Sequence, residues 1–259
     1  MSFQSRQPQN PLEYVKAEWE RDIPSMVRSA LAENRAQLAF QRIVPAHNTG
    51  VTAFFEGLIR IKDGHGHMIP ARHFMTDIEE TALGRDIDCA SLRLGIEMLR
   101  QNPTTQIAIN MSARSLADGK WRNILVHGLQ AHKVGRRLIL EISESSAMSL
   151  HENVVRFIEE CRPYGVCFSL DDFGAGEIAF RRLKDFHFDM VKIDKCFIRD
   201  VHNSADNQSF VKALVSVAHQ FDMVAVAEGV ESKSEAQFLQ SVGVDCLQGY
   251  LFGVPRLKL

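Results

Sequence analysis

Polar residues that could hold a metal ion or a phosphate recur along this chain at one kind of place, near the end of a short apolar run. The runs are rich in valine, isoleucine and leucine, which predicts that they form β-strands. A single acid at such a place is usually a helix cap or a turn residue. Seven successive runs share the feature, and they contribute Glu56, Asn110, Glu141 with Glu144, Asp171 with Asp172, Lys192, Glu228 and Gln248. This repetition indicates one shared site rather than a series of unrelated caps.

The chemistry of this residue set is that of a site for divalent cations. Carboxylates that converge on one site repel one another strongly unless cations neutralise them. Several acids together with an amide supply oxygen donors, which suit Mg²⁺ or Mn²⁺ better than zinc. Lys192 supplies a point charge that can hold a phosphate or a metal-bound water. Such a site suits in-line attack of water on a phosphodiester, with two metal ions about 4 Å apart.

The elements that must position these residues form an alternating pattern. Strands are predicted at Leu38–Val44, Thr52–Ile61, Gln106–Asn110, Arg137–Ile142, Val166–Asp171, Asp189–Asp194, Met223–Ala227 and Val244–Leu247. The first two flank a short turn signal at 47–50, which predicts an antiparallel hairpin. The others alternate with amphipathic helical stretches, including Ser91–Arg100, Asn153–Tyr164, Gln208–Gln220 and Ser234–Val242.

This alternation predicts an α/β fold with parallel strands and crossover helices. Eight strands close a (β/α)8 barrel of the TIM type, whose active site lies at the carboxyl ends of the strands. An open doubly wound sheet is the alternative, but no glycine-rich phosphate loop follows an early strand. We expect one domain, with a disordered lead at 1–10, a helix at 11–34 that packs on the barrel, and the barrel itself at 35–259.

Composition excludes several classes of protein. The net charge of −2 gives no global attraction to a nucleic-acid polymer or to an anionic membrane. The five cysteines form no CxxC pair, so they predict free thiols in a reducing compartment. No apolar run approaches the roughly 20 residues of a membrane span, and the polar N-terminus lacks a signal-peptide core. We therefore expect a cytoplasmic protein that does not insert into a membrane.

A family resemblance lies in eight ordered segments between about Leu38 and Pro255. They read FQRIV, FEGLIR, NMSARSL, LEISES, LDDFGAG, VKIDKCFIRD, VAEGVES and QGYLFGVP. In this order and at this spacing the chain resembles the EAL domains, named for a Glu-Ala-Leu signature, which hydrolyse cyclic di-GMP to linear pGpG. The resemblance implies a (β/α)8 barrel with an antiparallel first strand, in agreement with the predicted hairpin.

The resemblance also implies metal ligands and catalytic residues. One Mg²⁺ or Mn²⁺ ion would be bound by Glu56, Asn110, Glu141 and Asp171, and a second by Asp171, Asp172 and Glu228. Lys192 would position the attacking water, so that Glu56, Lys192 and Glu228 would be catalytic. Glu228 as general base and a hydroxide bridging the two metals are both open mechanisms. Calcium is expected to inhibit.

Further residues would contact the substrate or the neighbouring loop. Gln41, Leu58 and Arg60 would contact cyclic di-GMP, and Gln248 would hold water or metal at the floor of the site. Glu144 would anchor the loop that follows Asp172. The resemblance also implies a homodimer that forms through the barrel edge near this loop.

Two departures from the family pattern bear on activity. Gly57 stands where the signature has alanine, which removes only a methyl group and should leave Glu56 able to reach the metal. After Asp172 the family's Phe-Gly-Thr-Gly-Tyr-Ser-Ser is replaced by Phe173-Gly174-Ala175-Gly176-Glu177-Ile178-Ala179. The changed loop keeps a second function open, a cyclic di-GMP receptor that binds without cleavage and signals through a protein partner. The complete set of implied ligands favours the hydrolase.

Overall fold

The computed structural model describes residues 23–176 and 180–259. The predicted lead at 1–10 and the beginning of the predicted first helix lie outside the described residues. Within them, helix α1 covers residues 23–32. Its apolar side, formed by Ile23, Val27 and Ala30, is buried in the main hydrophobic core.

The strands form one sheet of nine that closes on itself. They are β1 (Ala36–Pro45), β2 (Phe54–Lys62), β3 (Met68–Pro70), β4 (Ile107–Asn110), β5 (Leu138–Ser143), β6 (Cys167–Phe173), β7 (Met190–Ile193), β8 (Val224–Ala227) and β9 (Cys246–Gln248). Strand β1 pairs antiparallel with both β2 and β9, and the strands from β4 to β9 are parallel to β2. The predicted (β/α)8 barrel with an antiparallel first strand is confirmed. The short β3 pairs with the far end of β2 and lies outside the closed ring.

The helices follow the strands as crossover connections. They are α2 (Met75–Ile78), α3 (Ala82–Gln101), α4 (Gly119–Ala131), α5 (Glu144–Ser149), α6 (His151–Cys161), α7 (Phe180–Leu183), α8 (Lys195–Ile198), α9 (Ala205–Gln220) and α10 (Lys233–Ser241). Single 3-10 turns occur at Ala71–His73, Ala113–Ala117, Gly135–Arg137 and Arg162–Tyr164. The helix predicted at Ser91–Arg100 begins earlier, because the Thr81 side chain accepts a hydrogen bond from the Leu83 amide and caps the first turn.

One layer of side chains fills the barrel interior below the strand ends. Each of the eight barrel strands contributes one residue to it: Ile43, Phe54, Ala108, Ile139, Cys167, Met190, Val226 and Cys246. Side chains in a strand alternate between faces, so a residue two positions farther along points to the same interior. On all seven parallel strands that position holds a polar residue, namely Glu56, Asn110, Glu141, Ser169, Lys192, Glu228 and Gln248. The apolar layer therefore supports a polar layer directly above it.

Outside the ring, the strands and helices enclose the larger core, in which Trp121, Phe168 and Phe173 are almost fully buried. In the described part of the chain no helix combines the length and the hydropathy that a membrane span requires.

Candidate functional site

Lys192 lies at the centre of the polar layer. Its ammonium nitrogen Nζ lies close to four carboxylate oxygens: 2.6 Å from Glu228 Oε1, 3.2 Å from Glu141 Oε2, 3.3 Å from Glu56 Oε2 and 3.5 Å from Asp171 Oδ1. The lysine side chain is only 1% exposed. Burial favours the neutral amine, but the surrounding carboxylates dominate and hold the pKa of Lys192 well above its usual value. A single positive charge therefore faces four acids from inside the barrel.

Glu56 is held by amides from two other strands. Asn110 Nδ2 donates to its Oε1 over 2.7 Å, and Gln248 Nε2 donates to its Oε2 over 2.6 Å. Gln248 also donates to Gln41 Oε1 over 3.2 Å, which extends the network to β1. Burial opposes ionisation of Glu56, but Lys192 and these two amides outweigh it and lower its pKa. Lys192 and the two amides therefore favour the charged form of Glu56 at the base of the site.

Glu141 is the most deeply buried acid of the cluster. Its side chain is 0% exposed, and burial together with the neighbouring acids raises its pKa well above the usual value, against the opposing effect of Lys192. Among the described residues its Oε1 has no hydrogen-bond partner, and neither does Asp171 Oδ1. Buried oxygens without donors are rare in folded proteins, and a bound cation would satisfy them.

A bulge in β6 brings two consecutive acids to the same side. Successive residues of a regular strand point to opposite faces. Here the register between β6 and β7 shifts between Leu170 and Phe173, and Asp172 has a positive φ of 56°. Aspartate tolerates this left-handed conformation better than most residues. Both Asp171 and Asp172 therefore offer a carboxylate oxygen near Glu228, with the three oxygens within 4.8 Å of one another.

Glu228 follows β8 directly and is fixed by the neighbouring loop. The Val230 amide donates to the Gln248 carbonyl over 2.9 Å, and the Leu251 amide donates to the Val230 carbonyl over 3.1 Å. Burial raises the pKa of Glu228 to about 8, although Lys192 opposes the shift. Partial desolvation, with the nearby carboxylates of Asp171 and Asp194, raises the pKa of Asp172 to about 6. The acids outnumber the buried cation, so the donor set fits divalent metal ions.

The structure places five of the predicted site residues around one cavity of about 750 Å³. Gln41, Leu58 and Gln248 line it together with Glu56 and Glu228. A second cavity of about 540 Å³ borders on Asn110, Asp171 and Asp172. Glu141 and Lys192 lie beneath these residues in the polar layer.

Arg60 does not belong to the wall of the larger cavity in the part of the chain that the structure describes. Its guanidinium donates to the Ile59 carbonyl over 2.9 Å. Burial and the neighbouring Arg72 lower its pKa, although Glu56 and Tyr250 oppose the shift. Arg60 therefore lies close to Glu56 and Tyr250, and its contact with the substrate stays a prediction.

Besides Gly229 and Gly249, which directly follow predicted site residues, sequence reasoning missed five residues of the cavity wall: Lys195, Cys196, Arg199, Glu231 and Tyr250. They follow the strand ends by a few positions instead of occupying them, and each resembles an ordinary surface residue in the sequence. A signal for Lys195 and Arg199 is their spacing of four, which puts both on one side of a helical turn.

Glu144 contacts the loop that follows Asp172. Its Oε2 accepts a hydrogen bond of 2.9 Å from the Gly174 amide. Gly174 has a φ of +96°, which a side chain would strain, so this turn depends on glycine. The continuation of the loop at 177–179 lies outside the described residues.

Gly57 lies where a side chain would meet the core. A Cβ atom built there would be 2.8 Å from Ile109 Cδ1 and 3.3 Å from Leu38 Cδ1, both at the ends of flexible side chains. Gly57→Ala, which restores the alanine of the signature, is therefore expected to lower the free energy of unfolding by about 1 kcal/mol. Urea denaturation measures this change, and Gly64→Ala is the matched control because nothing lies within 4 Å of its Cβ position.

A double-mutant cycle tests the same contact. Ile109→Val removes the crowding Cδ1 atom. The decreases in the free energy of unfolding caused by Gly57→Ala and by Ile109→Val should therefore sum to more than the decrease in the double variant. Strictly additive losses would show that Ile109 does not occupy the place of the missing methyl group.

Comparison with known proteins gives this site a context. The family model of the EAL domain matches residues 25–255. The chain is 30% identical over 238 residues to the cyclic di-GMP phosphodiesterase PdeR of Escherichia coli. The aligned region covers 90% of this chain and 36% of that protein. It is 30% identical over 237 residues to the bifunctional diguanylate cyclase/cyclic di-GMP phosphodiesterase MucR of Pseudomonas aeruginosa, with 88% of this chain and 34% of that protein covered. The chain thus spans about a third of the length of these curated relatives.

Solved structures give the same result for the fold. A phosphodiesterase structure of MucR in complex with cyclic di-GMP has a TM-score of 0.80 and 29% identity, covering 91% of this chain and 97% of that chain. The EAL domain of FimX from Pseudomonas aeruginosa, bound to cyclic di-GMP, has a TM-score of 0.83 and 25% identity, covering 92% of this chain and 97% of that chain.

Proposed function

The chain belongs to the EAL domain family, and we propose that it is a metal-dependent phosphodiesterase that hydrolyses cyclic di-GMP to linear pGpG. The observation that carries the proposal is the convergence of four carboxylates within 3.5 Å of the buried Lys192 ammonium. Relatives named as cyclic di-GMP phosphodiesterases support the substrate.

The acidic layer would hold the metal ions. We assign the ligands to the oxygens of Glu56, Asn110, Glu141, Asp171, Asp172 and Glu228. Two Mg²⁺ or Mn²⁺ ions bound there would activate water and neutralise the charge that develops on the phosphoryl group. Two buried oxygens without a hydrogen bond support this assignment: Glu141 Oε1, and Asp171 Oδ1, whose contact with Lys192 is an ion pair of 3.5 Å.

The protein's own groups divide into buried supports and accessible acids. The side chains of Glu56 and Glu141 are 6% and 0% exposed, whereas those of Asp171 and Glu228 are 17% and 18% exposed. We propose that the first two fix the geometry, and that Asp171 and Glu228 face the substrate. Lys192, held by all four, keeps the acids at fixed distances and donates hydrogen bonds toward the attacking water. Glu228 lines the cavity and can accept the proton that this water loses.

Chelation tests the metal dependence directly. The purified protein is expected to convert cyclic di-GMP to pGpG in Mg²⁺ or Mn²⁺, to stop in excess EDTA, and to recover when the metal is restored. In Ca²⁺ we expect binding without product. Chromatography identifies pGpG, and calorimetry on the same samples measures binding. Undiminished pGpG formation in EDTA would contradict the proposal, and tight binding without product in Mg²⁺ and Mn²⁺ would indicate a receptor.

A further inference from the structure

We propose that Lys195 and Arg199 form a subsite for the second phosphate of the substrate, the one that is not cleaved. This inference rests on the proposed function, because cyclic di-GMP carries two phosphodiester groups. When one of them lies at the acidic layer, the other remains an anion inside a cavity whose nearest acids, Glu56 and Glu228, would repel it.

Among the described residues, Lys195 and Arg199 are the basic ones on the wall of the larger cavity. Both side chains are exposed, and within residues 23–176 and 180–259 neither forms a salt bridge. Lys120 differs from this pair, because it forms a salt bridge with Asp86 over 2.9 Å. An exposed pair without a carboxylate partner is available to bind an external anion.

The backbone beneath the pair is fixed at both ends. Asp194 caps α8 by accepting a hydrogen bond of 2.7 Å from the Cys196 amide. The Arg199 amide donates to the Lys195 carbonyl over 3.0 Å, so the two side chains leave the same turn. After the turn, the Asp200 amide donates to Glu235 Oε1 over 3.0 Å. Little backbone ordering is therefore needed when a ligand binds.

Close packing sets the position of this turn relative to the acids. Gly229 follows Glu228 with a φ of +70°, and a Cβ atom there would lie 2.7 Å from Lys195 Cβ. Lys195 thus starts in contact with the segment that carries Glu228. From this origin a four-carbon stem reaches the cavity with its ammonium group. Arg199, one turn farther on, can add a forked donor to the same phosphate.

The test compares affinities for cyclic di-GMP in Ca²⁺, where binding can be measured without turnover. We expect Lys195→Gln and Arg199→Gln each to raise the dissociation constant about five- to tenfold, and the double variant to raise it further. Lys195→Arg keeps the charge and should retain most of the affinity. Lys233→Gln is the matched control, because Lys233 is exposed and does not line the cavity.

A substrate with one phosphodiester separates this subsite from the acidic layer. In Mn²⁺ the two glutamine variants should lose less than about twofold in kcat/KM for bis(p-nitrophenyl) phosphate, while KM for cyclic di-GMP rises. Equal losses for both substrates, or wild-type affinity for cyclic di-GMP in the double variant, would overturn the inference.

The outcomes also separate this inference from the proposed function. If the wild type binds cyclic di-GMP in Mg²⁺ but forms no pGpG, the proposed hydrolase activity is wrong. The affinities of the variants in Ca²⁺ would still show whether Lys195 and Arg199 form the subsite. If the wild type turns over cyclic di-GMP and the variants bind it with wild-type affinity, only the subsite inference is wrong. A wild-type protein that does not bind cyclic di-GMP would overturn both.

Discussion

Asp171→Asn is expected to lower the turnover of cyclic di-GMP by at least about 1,000-fold, or about 4 kcal/mol of transition-state stabilisation. Asp171 lies 3.5 Å from Lys192 Nζ and belongs with Asp172 and Glu228 to the three acids whose oxygens lie within 4.8 Å. Asparagine keeps the shape of the side chain but removes the charge that the metal ions require. Initial rates of pGpG formation in saturating Mn²⁺ measure the effect.

Folding controls make this result interpretable. The barrel should stay intact, because Asp171 contributes a partly exposed carboxylate and not a core contact. Circular dichroism and thermal melting should therefore match the wild type within a few degrees. Asp222→Asn is a matched control in the turn two residues before β8, at the opposite end of the barrel, where a φ of +57° suits asparagine as well as aspartate. Wild-type turnover in Asp171→Asn, with metal still required, would refute the assignment of this residue.

Lys192→Met is expected to lower the free energy of unfolding by about 3 kcal/mol or more when metal is absent. The lysine is 1% exposed and touches four carboxylates, so its loss leaves buried acids without a counter-charge. Methionine fills a similar volume, which separates the effect of charge from that of a cavity. Urea denaturation in EDTA measures the change.

Added metal should reverse part of this loss. Mn²⁺ supplies positive charge to the same carboxylates, so the difference between Lys192→Met and the wild type should shrink in its presence. Lys233→Met, at an exposed position on α10, controls for the general effect of removing a lysine. A Lys192→Met protein as stable as the wild type in EDTA would show that the acids do not depend on Lys192.

Much of the barrel and the polar layer could be predicted from the sequence, for a physical reason. Parallel strands buried on both faces read as continuous apolar runs, and the first polar residue after such a run marks the end of the barrel. Asn110 and Glu228 illustrate this, since each lies at or just after the last residue of its strand. Glu56 does not fit the rule. It is the third residue of β2, which continues past the site to pair with β3.

Other features depend on contacts that the local sequence does not reveal. Strand β3 has three residues, too few to show an alternating pattern. Asp172 reaches the site through a bulge, whereas simple alternation would point it away from Asp171. Lys195 and Arg199 became visible only when the fold brought their turn to the wall of the cavity.

The most direct test of the central claim, that the carboxylates around Lys192 serve catalysis, is a single-turnover experiment. The protein is mixed in excess over cyclic di-GMP with Mn²⁺, quenched in acid and separated by chromatography, with binding verified in parallel. Complete conversion to pGpG in Mn²⁺, with none in EDTA, is the result that we predict. Recovery of intact cyclic di-GMP from the metal-loaded complex would contradict the claim.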